Sequence, residues 1–197
     1  MAEVLSPGDV HPVFVGENEY LKRALDEGEL TLDAWRLRRK LVREFAWAVP
    51  NDAALDALAE LAPLVEIGAG GGYWAHLLRE RGVDIVAYDA MRWNESEPDA
   101  EHEQKIWTEV LCRNHWAAAD HPDRTLLLCW PSYGEAWAAE ALGWGGERVA
   151  YIGEGEGGCT AEERFHELLA ERFTETREVT IPQWDGIHDY LGIWEKR

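Results

Sequence analysis

No uninterrupted apolar run in this chain approaches the roughly 18 to 20 residues that a membrane-crossing helix needs. The opening Met1-Ala2-Glu3-Val4-Leu5-Ser6-Pro7 carries neither the basic nor the apolar part of a secretory signal, so a cytoplasmic address is the expectation. Cysteine is scarce. Cys112, Cys129 and Cys159 are odd in number and widely spaced, which fits neither a disulfide framework nor a zinc site, and reduced thiols are the simpler reading. No metal is expected. Positive charge is also short: 19 Lys and Arg stand against 38 acids, a net charge of −19. Because affinity for nucleic acid rests largely on basic phosphate contacts, this balance argues against a polyanionic partner. It leaves open attraction of cationic substrates or a role in solubility alone.

What is present is a chain of 197 residues, 46% hydrophobic and 29% charged, long enough for one domain with its own core. Eleven tryptophans supply either a thick aromatic core or the walls of a pocket for an aromatic or cationic ligand. The first third reads as helical. Leu32, Trp35, Leu37, Leu41, Val42 and Phe45 recur near the helical period across 31–47. Asn51 stands as an N-cap before a second helix over 52–61. Arg36, Arg38, Arg39, Lys40 and Arg43 read as a solvated basic face, with a carboxylate-binding patch as the alternative. Glu95, Glu97, Asp99, Glu101 and Glu103, around Pro98, predict an exposed loop or a lid.

From residue 64 the pattern alternates. Strands are expected at 64–67, 84–88, 107–111 (a weak one), 125–129, 148–152, 176–181 and 190–194, with helices at 73–81, 136–142 and 161–173. Helices between strands imply βαβ units and a largely parallel sheet. The short Pro182-Gln183-Trp184-Asp185-Gly186-Ile187-His188 connection implies a closing antiparallel hairpin. The expectation is a single α/β domain over 1–197, with a helical cap at 1–61 and a core at 62–197.

The informative stretch is Val65-Glu66-Ile67-Gly68-Ala69-Gly70-Gly71-Gly72-Tyr73-Trp74-Ala75, a strand that turns through glycines into a helix. Gly68 and Gly70 let the backbone turn tightly and let a ligand approach where a Cβ would collide. The helix behind them aims free N–H groups and its positive dipole end at that ligand. A dinucleotide fingerprint requires glycine where Tyr73 stands, which disfavours a nicotinamide-dependent oxidoreductase. The run is instead Glu-x-Gly-x-Gly-x-Gly, beginning at Glu66, and Asp89 ends the following strand at the separation of a ribose-binding acid.

At these residues the sequence resembles the class I, Rossmann-like S-adenosylmethionine-dependent methyltransferases, over 64 to about 197. The resemblance implies a seven-strand, mostly parallel sheet with an antiparallel last strand and helices on both faces. It implies S-adenosylmethionine as cofactor, with Glu66, Gly68, Ala69, Gly70, Gly72 and Tyr73 around its amino-acid part and Asp89 on its ribose hydroxyls. Many amine- and base-methylating relatives carry Asp- or Asn-Pro-Pro-aromatic after the fourth strand. Here Cys129-Trp130-Pro131-Ser132-Tyr133 keeps the proline and Tyr133 but places Trp130 before the proline, which argues against methylation of a nucleobase or amide nitrogen.

Acceptor-side candidates are Trp130 and Tyr133, whose π faces suit a cationic or aromatic group, together with Glu154, Trp184 and His188. His188 and Tyr133 are the catalytic candidates, with His115 as a further histidine able to hold a proton near neutral pH. The implied activity is transfer of a methyl group to N or O of a small molecule, natural product or peptide. A non-catalytic binder of the same cofactor is the rival, since fold does not determine function.

Overall fold

The computed structural model describes residues 4–5, 23, 34–91, 105–184 and 186–197. The expected acidic loop or lid at 95–103 lies outside them. In chain order the elements are β1 (Val4–Leu5), α1 (Ala34–Glu44), α2 (Asp52–Ala59), β2 (Leu64–Ile67), α3 (Tyr73–Glu80), β3 (Ile85–Asp89) and β4 (Leu111–Cys112). A 3₁₀ helix (His115–Asp120), β5 (Thr125–Cys129), α4 (Trp137–Trp144), β6 (Arg148–Gly153), α5 (Glu163–Arg172), β7 (Phe173–Thr180), β8 (Gln183–Trp184) and β9 (Tyr190–Lys196) follow.

Seven strands form one sheet in the order β4-β3-β2-β5-β6-β9-β7. The contacts among β4, β3, β2, β5 and β6 are parallel, and β9 runs antiparallel to both β6 and β7. This is the Rossmann-like sheet that the alternation of elements implies. All four residues of β2 are buried, because helices cover both faces of a central parallel strand. Period-two alternation divides the core. Leu64, Ile85, Ala87, Leu127, Ala150, Ile152, Leu191 and Ile193 pack with α1, α2 and α3. Val65, Ile67, Leu126, Leu128, Val149 and Tyr151 pack with the 3₁₀ helix, α4 and α5.

Local chemistry sets the helix ends. Asn51 is extended (φ −134) and its side chain accepts from Ala54 N at 2.9 Å, while its Nδ2 donates to Thr180 O at 3.0 Å. One residue thus starts α2 and ties it to β7. The basic face of α1 is divided: Arg39 and Lys40 are exposed, whereas Arg38 is buried.

Two strand expectations are corrected. The weak strand at 107–111 is the two-residue β4, Leu111–Cys112, because Trp107 is drawn elsewhere. Its Nε1 donates to Glu44 O at 2.7 Å, and its ring stacks on Phe45 with centroids 5.2 Å apart. Packing a half-buried indole with its N–H satisfied outweighs the few ladder bonds of an edge strand. The turn at 182–188 also contains β8, which pairs in parallel with β1.

Candidate functional site

The glycine loop leaves β2 at the carboxyl edge of the sheet, where ligands of open α/β sheets bind. Gly68, Gly70 and Gly72 all have positive φ (76, 54 and 75), a region that L side chains enter at a cost. The loop is tied to β3 by its own amides, with Gly68 N and Ala69 N donating to Tyr88 O at 2.9 and 3.0 Å. A Cβ at Gly68 would stand 2.6 Å from the Trp137 ring, and one at Gly72 would stand 2.7 Å from Val110. Those two glycines allow close packing. Gly70 differs: among the described residues a Cβ there meets nothing within 4 Å, so that side of the loop faces open space.

Asp89 closes the arrangement. Its Oδ2 accepts from Gly70 N at 2.8 Å and its Oδ1 from Met91 N at 2.7 Å. Burial pushes its carboxyl above the ordinary value, against the pull of those two amides. A carboxylate has about four lone-pair sites, so two remain for a pair of ligand hydroxyls after the loop is pinned.

Glu66 lies on the same sheet face as Asp89 and is 1% exposed, with its Oε2 lacking a hydrogen-bond partner among the described residues. Burial raises its carboxyl to about 8, with Asp89 adding to the rise and Arg79 opposing it. Burial thus favours the neutral form of the acid behind the glycine loop, a form that can donate a hydrogen bond.

A second constellation surrounds Trp130, the residue after β5. Its φ of 52 is left-handed, uncommon for a bulky side chain and typical of positions the surroundings over-determine. Its Nε1 donates to Asp189 Oδ2 at 2.8 Å. Its ring stacks on Trp47 at 5.3 Å, and the Arg38 guanidinium lies 5.3 Å from the Trp130 centroid and 5.4 Å from that of Trp47. The helical segment thus reaches the edge of the sheet through Arg38 and Trp47.

Glu154 has both oxygens on backbone amides, Oε1 on His188 N and Oε2 on Cys159 N, each at 2.7 Å. Burial raises its carboxyl, but the hydrogen bonds from Cys159 and His188 prevail and hold it below the ordinary value. It staples the turn before β9 to the loop after β6.

The structure brings Gly68, Ala69, Gly70, Gly72 and Asp89 together as one loop assembly, and Trp130, Glu154 and the backbone of His188 as another. The Tyr73 ring points into the core against Phe45 and Trp107. Trp184 is likewise a core residue. The His188 side chain is exposed, and Tyr133 is 73% exposed. His115 pairs with Glu140 of α4 at 2.6 Å.

Sequence reasoning left Asp189, Trp47 and Cys129 out of the site candidates and read Arg38 as part of a solvated basic face, with carboxylate binding as the alternative. Asp189 had a signal, since it continues the inward parity of Leu191 and Ile193. Cys129 is half-buried and shares a sheet face with Glu66 and Asp189; desolvation first, then both acids, push its thiol well above the ordinary value. None of the three cysteines forms a disulfide. No group of three metal-ligating side chains exists among the described residues, and no described helix is long and apolar enough to cross a membrane.

No protein-family model and no curated protein matches the chain. Among solved structures it is similar to 1,6-didemethyltoxoflavin-N1-methyltransferase of Burkholderia thailandensis, solved with 1,6-didemethyltoxoflavin and S-adenosylhomocysteine. The identity is 17% over 94% of this chain and 93% of that one, with a TM-score of 0.46. It is similar also to magnesium protoporphyrin IX methyltransferase of Synechocystis with S-adenosylhomocysteine, at 11% identity over 93% and 90%, TM-score 0.46. A third likeness is to a protein of Streptococcus pneumoniae described as a tRNA (m1A22) methyltransferase, at 18% identity over 72% and 68%, TM-score 0.42.

Proposed function

We propose that this chain is an S-adenosylmethionine-dependent methyltransferase that methylates N or O of a small-molecule, natural-product or peptide acceptor. The observation that carries the reading is the Asp89–Gly70 clamp, a carboxylate with spare lone pairs holding a glycine loop whose outer side is open. The residues fit the cofactor, since the open side of Gly70 gives close approach to backbone and Asp89 suits two adjacent hydroxyls. Gly68, Ala69, Gly70, Gly72 and the first turn of α3 would hold its amino-acid end, Asp89 its ribose, and protonated Glu66 would support the loop from beneath. When bound, the cofactor supplies an activated methyl sulfonium, and the protein's task is alignment and exclusion of water.

On the acceptor side, Trp130 and Trp47 offer ring faces, Glu154 fixes the backbone, and exposed Tyr133 and His188 stand toward solvent. The segment 1–61 acts as the cap in this reading. A net charge of −19 supports acceptors other than polyanions, and the three unpaired cysteines accord with a reducing, cytoplasmic setting. The test is turnover of the full chain with S-adenosylmethionine against a panel of amines, phenols, alcohols and carboxylates. S-adenosylhomocysteine formed in step with a product heavier by one methyl group is the expected result. An acceptor-independent background with every compound, in protein that binds the cofactor, would favour the non-catalytic binder.

A further inference from the structure

Three ionisable groups stand on one face of the sheet beneath the helical segment: Glu66 of β2, Cys129 of β5 and Asp189 just before β9. Asp189 is the one whose geometry is incomplete. It is 2% exposed, its Oδ2 takes the Trp130 indole N–H at 2.8 Å, and its main-chain oxygen takes Gln183 Nε2 at 2.7 Å. Its Oδ1 is sealed from solvent and has no hydrogen-bond partner among the described residues. A buried carboxylate oxygen left unmatched is costly, and such groups in native proteins call for an explanation. Here the unmatched atom belongs to the carboxylate that holds a tryptophan in a left-handed conformation, at the edge of the sheet where ligands of this architecture bind.

We propose that Asp189 Oδ1 accepts the hydrogen of the group to be methylated, so that the acceptors are N–H or O–H compounds (amines, phenols or alcohols) and not carboxylates. The inference rests on the methyltransferase reading above and narrows it. In the transfer, the acceptor's lone pair forms the new bond to carbon, the carbon–sulfur bond breaks with its electrons returning to sulfur, and the N–H or O–H proton passes to Asp189 Oδ1, which is left as the neutral acid until the products leave and the site opens. A carboxylate acceptor would bring a second negative charge against Asp189 in a buried site, which selects against it.

The charged and titratable groups facing Asp189 are Arg38 from α1, Glu154 after β6 and Cys129 of β5. Burial raises the Asp189 carboxyl to about 6, while the Trp130 indole and the residue's own backbone N–H hold it down, Glu154 pushes it up and Arg38 adds a smaller downward pull. It is largely ionised, and able to accept, at neutral pH.

The Trp130 indole N–H resonance, assigned with Trp130→Phe, reports on the same carboxylate and needs no known acceptor. Phenol, aniline and benzoate are titrated into the full chain with S-adenosylhomocysteine present. Phenol and aniline are expected to move the resonance and benzoate to leave it in place. Asp189→Asn keeps an oxygen for Trp130 but replaces the other with a donor. It is expected to weaken phenol at least tenfold and to gain benzoate binding, with S-adenosylhomocysteine affinity within about threefold of wild type. A purely structural role for Asp189 would give no such reversal.

In wild-type protein, the preference for phenol over benzoate is expected to fall at least fivefold from pH 7.5 to pH 5, a comparison that stands if the variant does not fold. Equal binding of phenol by both proteins, benzoate bound by wild type as well as phenol, or no probe moving the resonance would each overturn the assignment. Loss of S-adenosylhomocysteine binding with the probe pattern intact would instead remove the methyltransferase reading, so the two failures are separable.

Discussion

Glu66→Gln puts a magnitude on the acid beneath the glycine loop. The folded carboxyl stands at about 8 against an ordinary 4.5 because it is buried. Its value is raised on folding, so the folded chain binds the proton more tightly than the unfolded one. The stabilisation is complete below pH 4.5 and is lost as pH rises through 8. Each pH unit in that interval is worth ~1.4 kcal/mol, so the ceiling on the loss is ~5 kcal/mol between pH 4.5 and 8. Glutamine keeps the shape and a donor but cannot titrate. Ionisable groups that do not interact with Glu66 are common to both proteins and cancel in their difference, whereas Asp89 and Cys129 are coupled to it and contribute a smaller part of the change. Urea denaturation followed by tryptophan fluorescence at pH 5, 7 and 9 should therefore show two curves that diverge. Near pH 5 the variant should equal wild type or fall below it by ~1–2 kcal/mol for an imperfectly matched amide. By pH 9 it should be the more stable protein, by several kcal/mol. A difference that stays constant within ~0.5 kcal/mol over this range would refute the claim that Glu66 is a buried, neutral acid.

Two further substitutions separate the loop's role from the fold's. Gly70→Val puts a β-branched residue at φ 54 but into open space, so it should fold with a loss of ~1–2 kcal/mol and no longer bind S-adenosylmethionine; a folded variant that binds at wild-type strength would contradict the pose. Asn51→Ala removes both the α2 cap and the bond to Thr180, and should cost ~1–2 kcal/mol in urea denaturation without changing cofactor affinity; a cost under ~0.3 kcal/mol would mean that the cap is redundant.

The architecture was legible where one physical cause dominates. A short, wholly buried run such as 64–67 has no other stable use than a central strand, and Asn51 before Asp52 has the chemistry of a cap. The loop from Gly68 to Gly72 was legible because only glycine tolerates three left-handed positions in five residues. The sequence failed where a side chain was claimed by partners distant in the chain. Trp107 belongs to Phe45 and Glu44, not to the β4 ladder, and no local pattern announces that. Arg38 sits among basic neighbours that face solvent, and its inward turn shows only once Trp47 and Trp130 are in place. At 188–189 attention went to the histidine because of its chemistry. Strand parity, counted back from Ile193 and Leu191, selects Asp189 as the buried side chain and leaves His188 outside.

The most direct test of the account is calorimetry of the full chain with S-adenosylmethionine, beside Asp89→Ala and a control titration with NAD. Asp89 holds Gly70 and keeps lone pairs for the ribose, so losing a charged hydrogen-bond acceptor should cost ~1.5–3 kcal/mol, or roughly ten- to hundred-fold in affinity. The expected result is one S-adenosylmethionine bound per wild-type chain, a drop of that size in the folded variant, and no NAD binding. Wild-type protein that binds no S-adenosylmethionine, or a folded Asp89→Ala variant that binds it as tightly as wild type, would contradict the account.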